Sequence, residues 1–220
     1  MVRLAIIFIF VLAAGFIVAQ LLDFFLSINS GSGQTRKDIA ELKSKIATYI
    51  SNLIPMSVNE LELLSVNQSG TTTNRGIATI KSGAFNTIYH EPLLAYAYKK
   101  YTYPADKSLL LISSEEDDFL YMINGSKTQV FVNNTELGFV ESDGSLYAPK
   151  TNKLLAKIDA NHLLSSHPVK IEGKEVGEIV NARLNESPNP RAYQFLEPMN
   201  ERETQIFKAL TFLSLVEETI

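Results

Sequence analysis

The last stretch of the chain, Asn200–Ile220, reads NERETQIFKALTFLSLVEETI and decides the fold. Asn200 can cap a helix, and Glu203, three residues later, can complete a capping box. A helix that is apolar on almost every side needs cover on every side, and this run is shorter than the ~20 residues that span a bilayer. The sequence therefore predicts a helix over 200–218 that is buried inside the protein. Between positions 206 and 216 the only polar residues are Lys208, Thr211 and Ser214.

The composition excludes several classes of function. The chain has 220 residues, a net charge of −4 and no cysteine. An acidic chain without a basic recognition motif is not expected to bind nucleic acid, and a chain without cysteine has no disulfide, zinc–thiolate site or cysteine nucleophile. The sequence also lacks an HExxH metal motif and a GxSxG nucleophile elbow. We therefore expect no catalytic, cofactor-binding or metal-binding residues, and a protein that is not an enzyme.

The N-terminus carries an uncharged run, Leu4–Leu22, of 19 residues. A helix of this length is ~28 Å long, close to the thickness of the bilayer core. The alternative is a cleaved signal peptide, which the sequence favours less because Ile17-Val18-Ala19 has no small residue three positions before a cleavage point. The run predicts a transmembrane anchor within 1–26, through which the chain contacts membrane lipids in a single-pass arrangement.

Positive charges on both sides of this run bear on its orientation. The N-terminal side has Arg3 and the α-amine, whereas the other side has Arg36, Lys37, Lys43 and Lys45 within about 20 residues. This count slightly favours a cytoplasmic domain.

A linker and a helix are predicted over 27–55. Ser27–Gln34 reads SINSGSGQ, which is typical of a flexible linker, and Arg36–Leu53 has apolar residues at helical spacing before Pro55. We interpret it as an amphipathic stalk helix that lies on the domain or on the membrane. The alternative is a coiled coil, for which two heptads are weak evidence.

From about position 56 onwards the pattern changes to short strands separated by turn residues, which indicates an antiparallel sheet or barrel. A closed barrel of about twelve strands would remove exposed edges and enclose the apolar helix. We therefore predict a mainly β fold, with one barrel domain over 56–220 and its central helix at 200–218. The predicted strands are Leu61–Val66, Gly76–Lys81, Leu94–Tyr103, Leu109–Ser113, Phe119–Ile123, Thr128–Val132, Glu136–Val140, Ser145–Tyr147, Leu154–Ile158, Val169–Ile171, Glu175–Val180 and Ala192–Leu196.

Turn signals and an internal repeat support this prediction. Asn124-Gly125 is typical of a type I′ hairpin, and Asp143-Gly144 and Glu172-Gly173 are signals of the same kind. The segment 130–140 also matches 169–179 at an offset of 39, with a glycine inside the second strand of each copy. An interior glycine in a strand predicts a bulge or a bend at a barrel corner.

The chain from about Gln129 to the end resembles the tubby C-terminal-like superfamily, which includes the phospholipid scramblases and the plant LURP-one-related proteins. The resemblance implies a closed twelve-stranded barrel around a buried C-terminal helix. The motifs that carry it are ELGFV (136–140), GSLYAPKTNKLLAKI (144–158), VKIEGKEVGEIV (169–180) and FLEPMNERETQIFKALTFLSLVEE (195–218).

The resemblance does not assign the family's ligand-binding residues to positions in this chain. The segment NESPNPRAYQFLEPMNERE (185–203) lacks the alternating aspartates of the scramblase calcium site, and no cysteine is available for palmitoylation. The basic phosphoinositide pocket of the tubby proteins has no counterpart that can be mapped onto this sequence. Lipid scrambling, calcium dependence and phosphoinositide binding therefore do not follow from the resemblance.

Several charged and aromatic clusters are candidates for sites. Glu115-Glu116-Asp117-Asp118 lacks the spacing of a calcium loop and is interpreted as a solvated loop between strands. Tyrosines at 96, 98, 101 and 103 are interpreted as ordinary strand residues, and His90, His162 and His167 as surface loop residues. The best candidates for contact with an anionic lipid are Lys81, Lys99 and Lys100.

These observations predict a membrane-tethered, non-enzymatic binding module that meets a lipid headgroup or a protein partner at the membrane surface. One alternative is a scramblase-like lipid-transfer protein, which would need oligomers or a partner because one anchor and a plugged barrel leave no path for lipid. Another alternative is a structural subunit of a membrane complex.

Overall fold

The structure is a computed structural model that describes residues 32–75, 78–160, 164–185, 187–194 and 196–219. The chain divides into two compact units, Met1–Asp38 and Ile39–Ile220. The anchor expected at 1–26 lies outside the described residues. Within the described ranges, no helix combines the length and the apolar character that a membrane crossing requires.

The second unit is mainly β. Its helical elements are the part of α1 (Ser32–Ile50) that follows Asp38, α2 (Val58–Glu62), a 3₁₀ turn (Ala182–Leu184) and α3 (Glu201–Thr219). The strands are β1 (Leu64–Arg75), β2 (Ala78–Thr87), β3 (Pro92–Tyr101), β4 (Lys107–Ser113), β5 (Asp118–Asn124), β6 (Lys127–Val132), β7 (Thr135–Glu141), β8 (Ser145–Tyr147), β9 (Leu154–Ile158), β10 (Ser166–Ile171), β11 (Lys174–Val180) and β12 (Tyr193–Gln194).

The twelve strands form one antiparallel sheet in which each strand pairs with the next along the chain. The two edges of the sheet meet beside β12, where Ser65 and Arg191 form an isolated antiparallel bridge. The Ala192 N–H donates to the Leu64 carbonyl at 2.7 Å on one side of this bridge. The sheet is therefore a nearly closed barrel with a C-terminal helix, which confirms the mainly β prediction with about twelve strands.

The first strand differs from its prediction over Leu61–Val66. The Ser57 hydroxyl accepts the Glu60 N–H and caps α2, so Leu61 is helical and buried. β1 begins at Leu64 and continues through NQSGTTTNR as far as Arg75. This polar run looks like a loop in the sequence because it has no apolar alternation. It is a strand because β2 pairs with it along most of its length.

One of the three glycine turns has the predicted type I′ geometry and two do not. At Asp143-Gly144 only Gly144 has a positive φ, of +78°, whereas a type I′ turn needs positive φ at both central residues. The β10–β11 hairpin has φ of +48° at Glu172 and +88° at Gly173, as a type I′ turn requires. The β5–β6 turn instead centres on Gly125 and Ser126, because Asn124 is still paired with Lys127. Gly125 has φ of +60° and takes the first central position, which is typical of a type II′ turn and corrects the predicted type I′ turn.

The internal repeat corresponds to two bulged hairpins, as predicted. In β6–β7, Val130 pairs with Gly138 and the next pair is displaced by one residue. In β10–β11, Val169 pairs with Gly177 and the same displacement follows. A Cβ on Gly138 would lie 2.0 Å from the Tyr147 carbonyl oxygen, so the neighbouring strand can pass only because this residue has no side chain.

Helix α3 fills the barrel. All of its residues from Ile206 to Leu213 are buried, and Leu215 and Val216 are buried as well. Phe212 meets Phe119 of β5 edge to face at 5.3 Å, and Phe207 meets Tyr193 of β12 at 5.2 Å. The apolar character that predicted a core helix therefore corresponds to contacts with opposite sides of the barrel.

Buried hydroxyls fix the helix inside the barrel. The Tyr121 hydroxyl donates to the Ala209 carbonyl at 2.8 Å, and the Tyr193 hydroxyl donates to Thr211 Oγ1 at 3.0 Å. Thr211 in turn donates to the Phe207 carbonyl at 2.8 Å. Burial raises the pKa of both tyrosines well above its usual range, so both hydroxyls remain protonated donors.

Residues of α1 from Ile39 onwards lie on the outer face of the barrel. Leu42 and Ile46 are buried there. Lys43 forms an exposed ion pair at 3.1 Å with Asp118, at the start of β5. The helix begins at Ser32, within the stretch expected to be linker, and its barrel-facing side is the apolar stripe that the spacing predicted.

Candidate functional site

The three lysines expected to contact lipid lie on neighbouring strands but face opposite sides of the sheet. Lys81 on β2 is opposite Tyr98, and Lys100 on β3 is opposite Thr79, so the two lysines are close in the register. Lys99 precedes Lys100 in an extended strand and points to the other face. The structure therefore brings Lys81 and Lys100 together and separates Lys99 from them.

Lys99 faces α1. Its side chain is only 10% exposed, and its Nζ lies 2.7 Å from Glu41 Oε2. The ammonium also lies 5.8 Å from the centre of the Tyr101 ring. Such a contact holds the helix against the barrel, and Lys99 in this position is covered by the protein's own chain.

Lys81 and Lys100 line a pocket of about 350 Å³, here named the lysine pocket. Its apolar floor includes Leu110 of β4 and Val216 of α3. The pocket lies at the end of the barrel where the β3–β4 and β5–β6 connections meet the C-terminal end of α3. We call this the pocket end. A basic rim above an apolar floor can hold an anionic group that is attached to an apolar one.

A larger cavity of about 680 Å³, here named the large pocket, adjoins the lysine pocket at the same end. Its floor is apolar and includes Val140 of β7 and Leu213 of α3. Ile123 and Glu217 line both pockets, so these two residues form the wall between them. Both volumes lie within or near the range of small-ligand sites, which is about 300–1,000 Å³.

Glu217 is the charged group in this shared wall. It lies in the last turn of α3, where the helix dipole already disfavours a negative charge. Its side chain reaches solvent at the rim, yet desolvation raises the pKa of its carboxyl. Among the described residues no hydrogen bond or ion pair to this carboxylate is found. The sequence gives no signal for Glu217, because a glutamate at the end of an apolar helix looks like a solvated terminus.

The acidic run that was interpreted as a solvated loop has two different halves. Glu115 and Glu116 are exposed. Asp117 lies 3.6 Å from Lys208 Nζ of α3 and accepts a hydrogen bond from Asn133 at 2.7 Å. Asp118 pairs with Lys43 of α1. Its second half therefore connects helices on both sides of the sheet, and the solvated-loop interpretation is wrong for these two aspartates.

The histidines and tyrosines do not form a site. His90 lies in the exposed turn between β2 and β3, and His162 lies outside the described residues. His167 is only 3% exposed in β10, so its interpretation as a surface loop residue is wrong. Tyr96 packs against Phe85 at 5.2 Å, which agrees with its interpretation as an ordinary strand residue.

No group of three or more histidines, aspartates or glutamates that could hold a metal ion occurs in the described part of the chain. No protein-family model, curated protein or solved structure matches the sequence. The pocket end is therefore the feature from which a function can be inferred.

Proposed function

We propose that this protein is a membrane-tethered, non-enzymatic binding module whose barrel takes a phosphate-bearing lipid headgroup at the pocket end. The observation that carries the proposal is the convergence of Lys81 and Lys100 on one pocket with an apolar floor. Two ammonium groups can neutralise a phosphate, and the floor can accept the first methylenes of the lipid. The tether is the anchor expected at 1–26, with the barrel on the cytoplasmic side.

Exposed apolar side chains at the pocket end support a membrane-facing role. Tyr103 is 91% exposed on the β3–β4 connection, and Leu164 is 48% exposed on the β9–β10 connection. Strands that alternate in direction bring both connections to the same end of the sheet. Tyrosine is favoured where a protein meets the interface of a bilayer.

The filled interior of the barrel favours a surface module over a lipid conduit. The core side chains of α3 pack against strands on opposite sides of the barrel. A scramblase-like function would therefore need a path outside this barrel, such as one between copies. A barrel around a C-terminal helix also supports the proposal that the chain is related to the tubby C-terminal-like superfamily.

The test is lipid binding by the full chain in maltoside micelles, measured by native mass spectrometry with dioleoyl phosphatidic acid. Replacing both Lys81 and Lys100 with Gln should weaken binding about thirtyfold, since each lysine near an anionic lipid contributes about 1 kcal/mol. Lys150→Gln removes the same kind of charge from an exposed turn and should leave binding unchanged. Equal binding by the double variant and the wild type would show that the lysine pocket does not bind the lipid.

A second outcome separates lipid from protein recognition. If the wild type retains no more lipid than its variants but carries a stoichiometric protein partner through purification, the chain is a structural subunit. The same measurement therefore distinguishes the proposal from that alternative.

A further inference from the structure

The two pockets at the pocket end differ in charge although they share a wall. The lysine pocket presents Lys81 and Lys100, and the shared wall presents the carboxylate of Glu217. We infer that this end recognises a zwitterionic phospholipid headgroup with a primary amine, the phosphoethanolamine class. Its phosphate would lie at the two lysines and its ammonium at Glu217. This inference rests on the proposed function and specifies its ligand.

The acidic side of the site depends on Glu217, because a neighbouring carboxylate already has partners. Asp143, which also lines the large pocket, accepts hydrogen bonds from the Ser145 N–H at 3.0 Å and from its hydroxyl at 2.9 Å. Asp143 also lies 3.7 Å from Lys157 Nζ, and the serine lowers the pKa of its carboxyl. Glu217 has no such partner among the described residues, and neither has Glu141, which lines only the large pocket. Glu217 is the carboxylate in the wall shared with the lysine pocket, so it is the one placed beside both cavities.

The chemistry of the wall favours an amine over a metal ion. A calcium ion takes six to eight oxygen ligands, and the described residues offer no acidic cluster that could supply them. An ammonium group has three donors and needs few protein acceptors when it lies at an open rim. One carboxylate beside open solvent meets that need.

The lining also distinguishes a primary amine from a quaternary one. Quaternary ammonium groups are typically held in cages of aromatic rings. The described residues that line the large pocket include no phenylalanine, tyrosine or tryptophan, and those that line the lysine pocket include one aromatic ring, Tyr98, which does not make a cage by itself. A carboxylate that can accept hydrogen bonds discriminates in favour of a group that can donate them, so phosphoethanolamine fits better than phosphocholine.

Desolvation gives Glu217 a reason to bind a cation. Its surroundings raise the pKa of the carboxyl because they stabilise the charged form less than water does. An ammonium placed beside it replaces part of that lost stabilisation. The floor, which includes Leu210 and Leu213, can receive the glycerol and the first acyl methylenes.

The experiment compares three lipids by native mass spectrometry of the full chain in maltoside micelles. These are dioleoyl phosphatidylethanolamine, phosphatidylcholine and phosphatidic acid, each at equal concentration. The wild type should bind the ethanolamine lipid tightest. Glu217→Gln should weaken binding of that lipid about tenfold, because the neutral amide can still accept a hydrogen bond but no longer pairs with the charge of the ammonium. Binding of phosphatidic acid should be unchanged or improved.

Two controls test whether the change in lipid affinity is specific to Glu217. Glu201→Gln removes the same charge from the other end of α3 and should change no affinity. Thermal unfolding of each variant shows whether the fold is retained. If the Glu217→Gln variant is folded and binds the three lipids in the same order of affinity as the wild type, the assignment of the amine to Glu217 is wrong. That result would not contradict phosphate binding at the lysine pocket. If none of the lipids binds the wild type better than the Lys81/Lys100 double variant, the proposed function itself fails.

Discussion

The two ends of the barrel differ in how their polar groups are paired. At the end where α3 begins, here called the cap end, the Asn200 side chain accepts the Glu203 N–H and the Glu203 carboxylate accepts the Asn200 N–H, both at 2.9 Å. Lys208 meets Asp117 at the same end. At the pocket end, α3 finishes with Glu217 in the wall of two cavities.

The comparison shows that polar groups at the two ends contribute to stability in opposite directions. Every capping and pairing group at the cap end lowers the free energy of the folded helix. A desolvated glutamate at a helix C-terminus does the opposite, because both the dipole and the loss of water disfavour its charge. An arrangement that costs stability, in a wall between two cavities, is where we place the ligand.

The largest loss of stability should come from removing α3, the helix that runs from one end of the barrel to the other. Deleting Asn200–Ile220 takes away seven large apolar side chains, whose burial contributes roughly 10–20 kcal/mol as an upper bound. That exceeds the usual stability of a domain, so the barrel should lose cooperative unfolding in circular dichroism. A truncated chain with unchanged thermal stability would make the helix peripheral and contradict the fold.

The next largest loss of stability should come from a substitution at the cap end. Asp117→Ala leaves Lys208, only 7% exposed, without its counter-charge and should cost about 2 kcal/mol in urea unfolding. Lys208→Met keeps the volume and removes the charge, so it should be close to neutral. If the two substitutions cost the same, the pair acts by packing and the electrostatic explanation is wrong.

A smaller effect is expected at the helix start. Asn200→Ala removes one acceptor of the capping box and should cost about 1 kcal/mol. Asn200→Ser retains a capping oxygen and should cost much less. Urea midpoints of the two variants test this, and an equal loss for both would show that the cap does not contribute.

The smallest change in stability, a gain and not a loss, is expected at the pocket end. Because the folded pKa of Glu217 is raised, the folded state holds more protons than the unfolded state above pH ~4.5, so this group's contribution to stability falls as pH rises. Glu217→Gln should therefore be at least as stable as the wild type at pH 7, with a difference that shrinks towards pH 4. A variant that is less stable at pH 7 than at pH 4, relative to the wild type, would contradict the desolvation of Glu217.

Much of the fold could be predicted from local chemistry. Short apolar runs between turn signals located eleven of the twelve strands, although β2 was predicted only as far as Lys81 and continues to Thr87. The paired glycines at 138 and 177 located both bulges. The turn between the strands predicted at 128–132 and 136–140 is present at Asn133-Asn134, and both asparagines have positive φ. β1 was missed beyond Val66 because pairing with β2, and not hydrophobic alternation, makes it a strand.

The candidate site was only partly predictable. Neighbouring residues of a strand point to opposite faces, so Lys99 and Lys100 cannot share a site, but the sequence does not indicate which face is covered. Glu41, 58 residues away in the chain, covers Lys99, and this distant contact has no local signal. Glu217 was missed for the same reason, since its desolvation comes from strands that are more than 50 residues away along the chain.

The sequence by itself determined that a long apolar helix had to be enclosed, and that short strands with tight turns were there to enclose it. Both depend on burial and backbone geometry, which act over a few neighbouring residues. Only the tertiary structure decided which lysines meet and which is covered. It alone decided that the last turn of the helix lies between two cavities, because these features arise from contacts between segments that are distant in the chain.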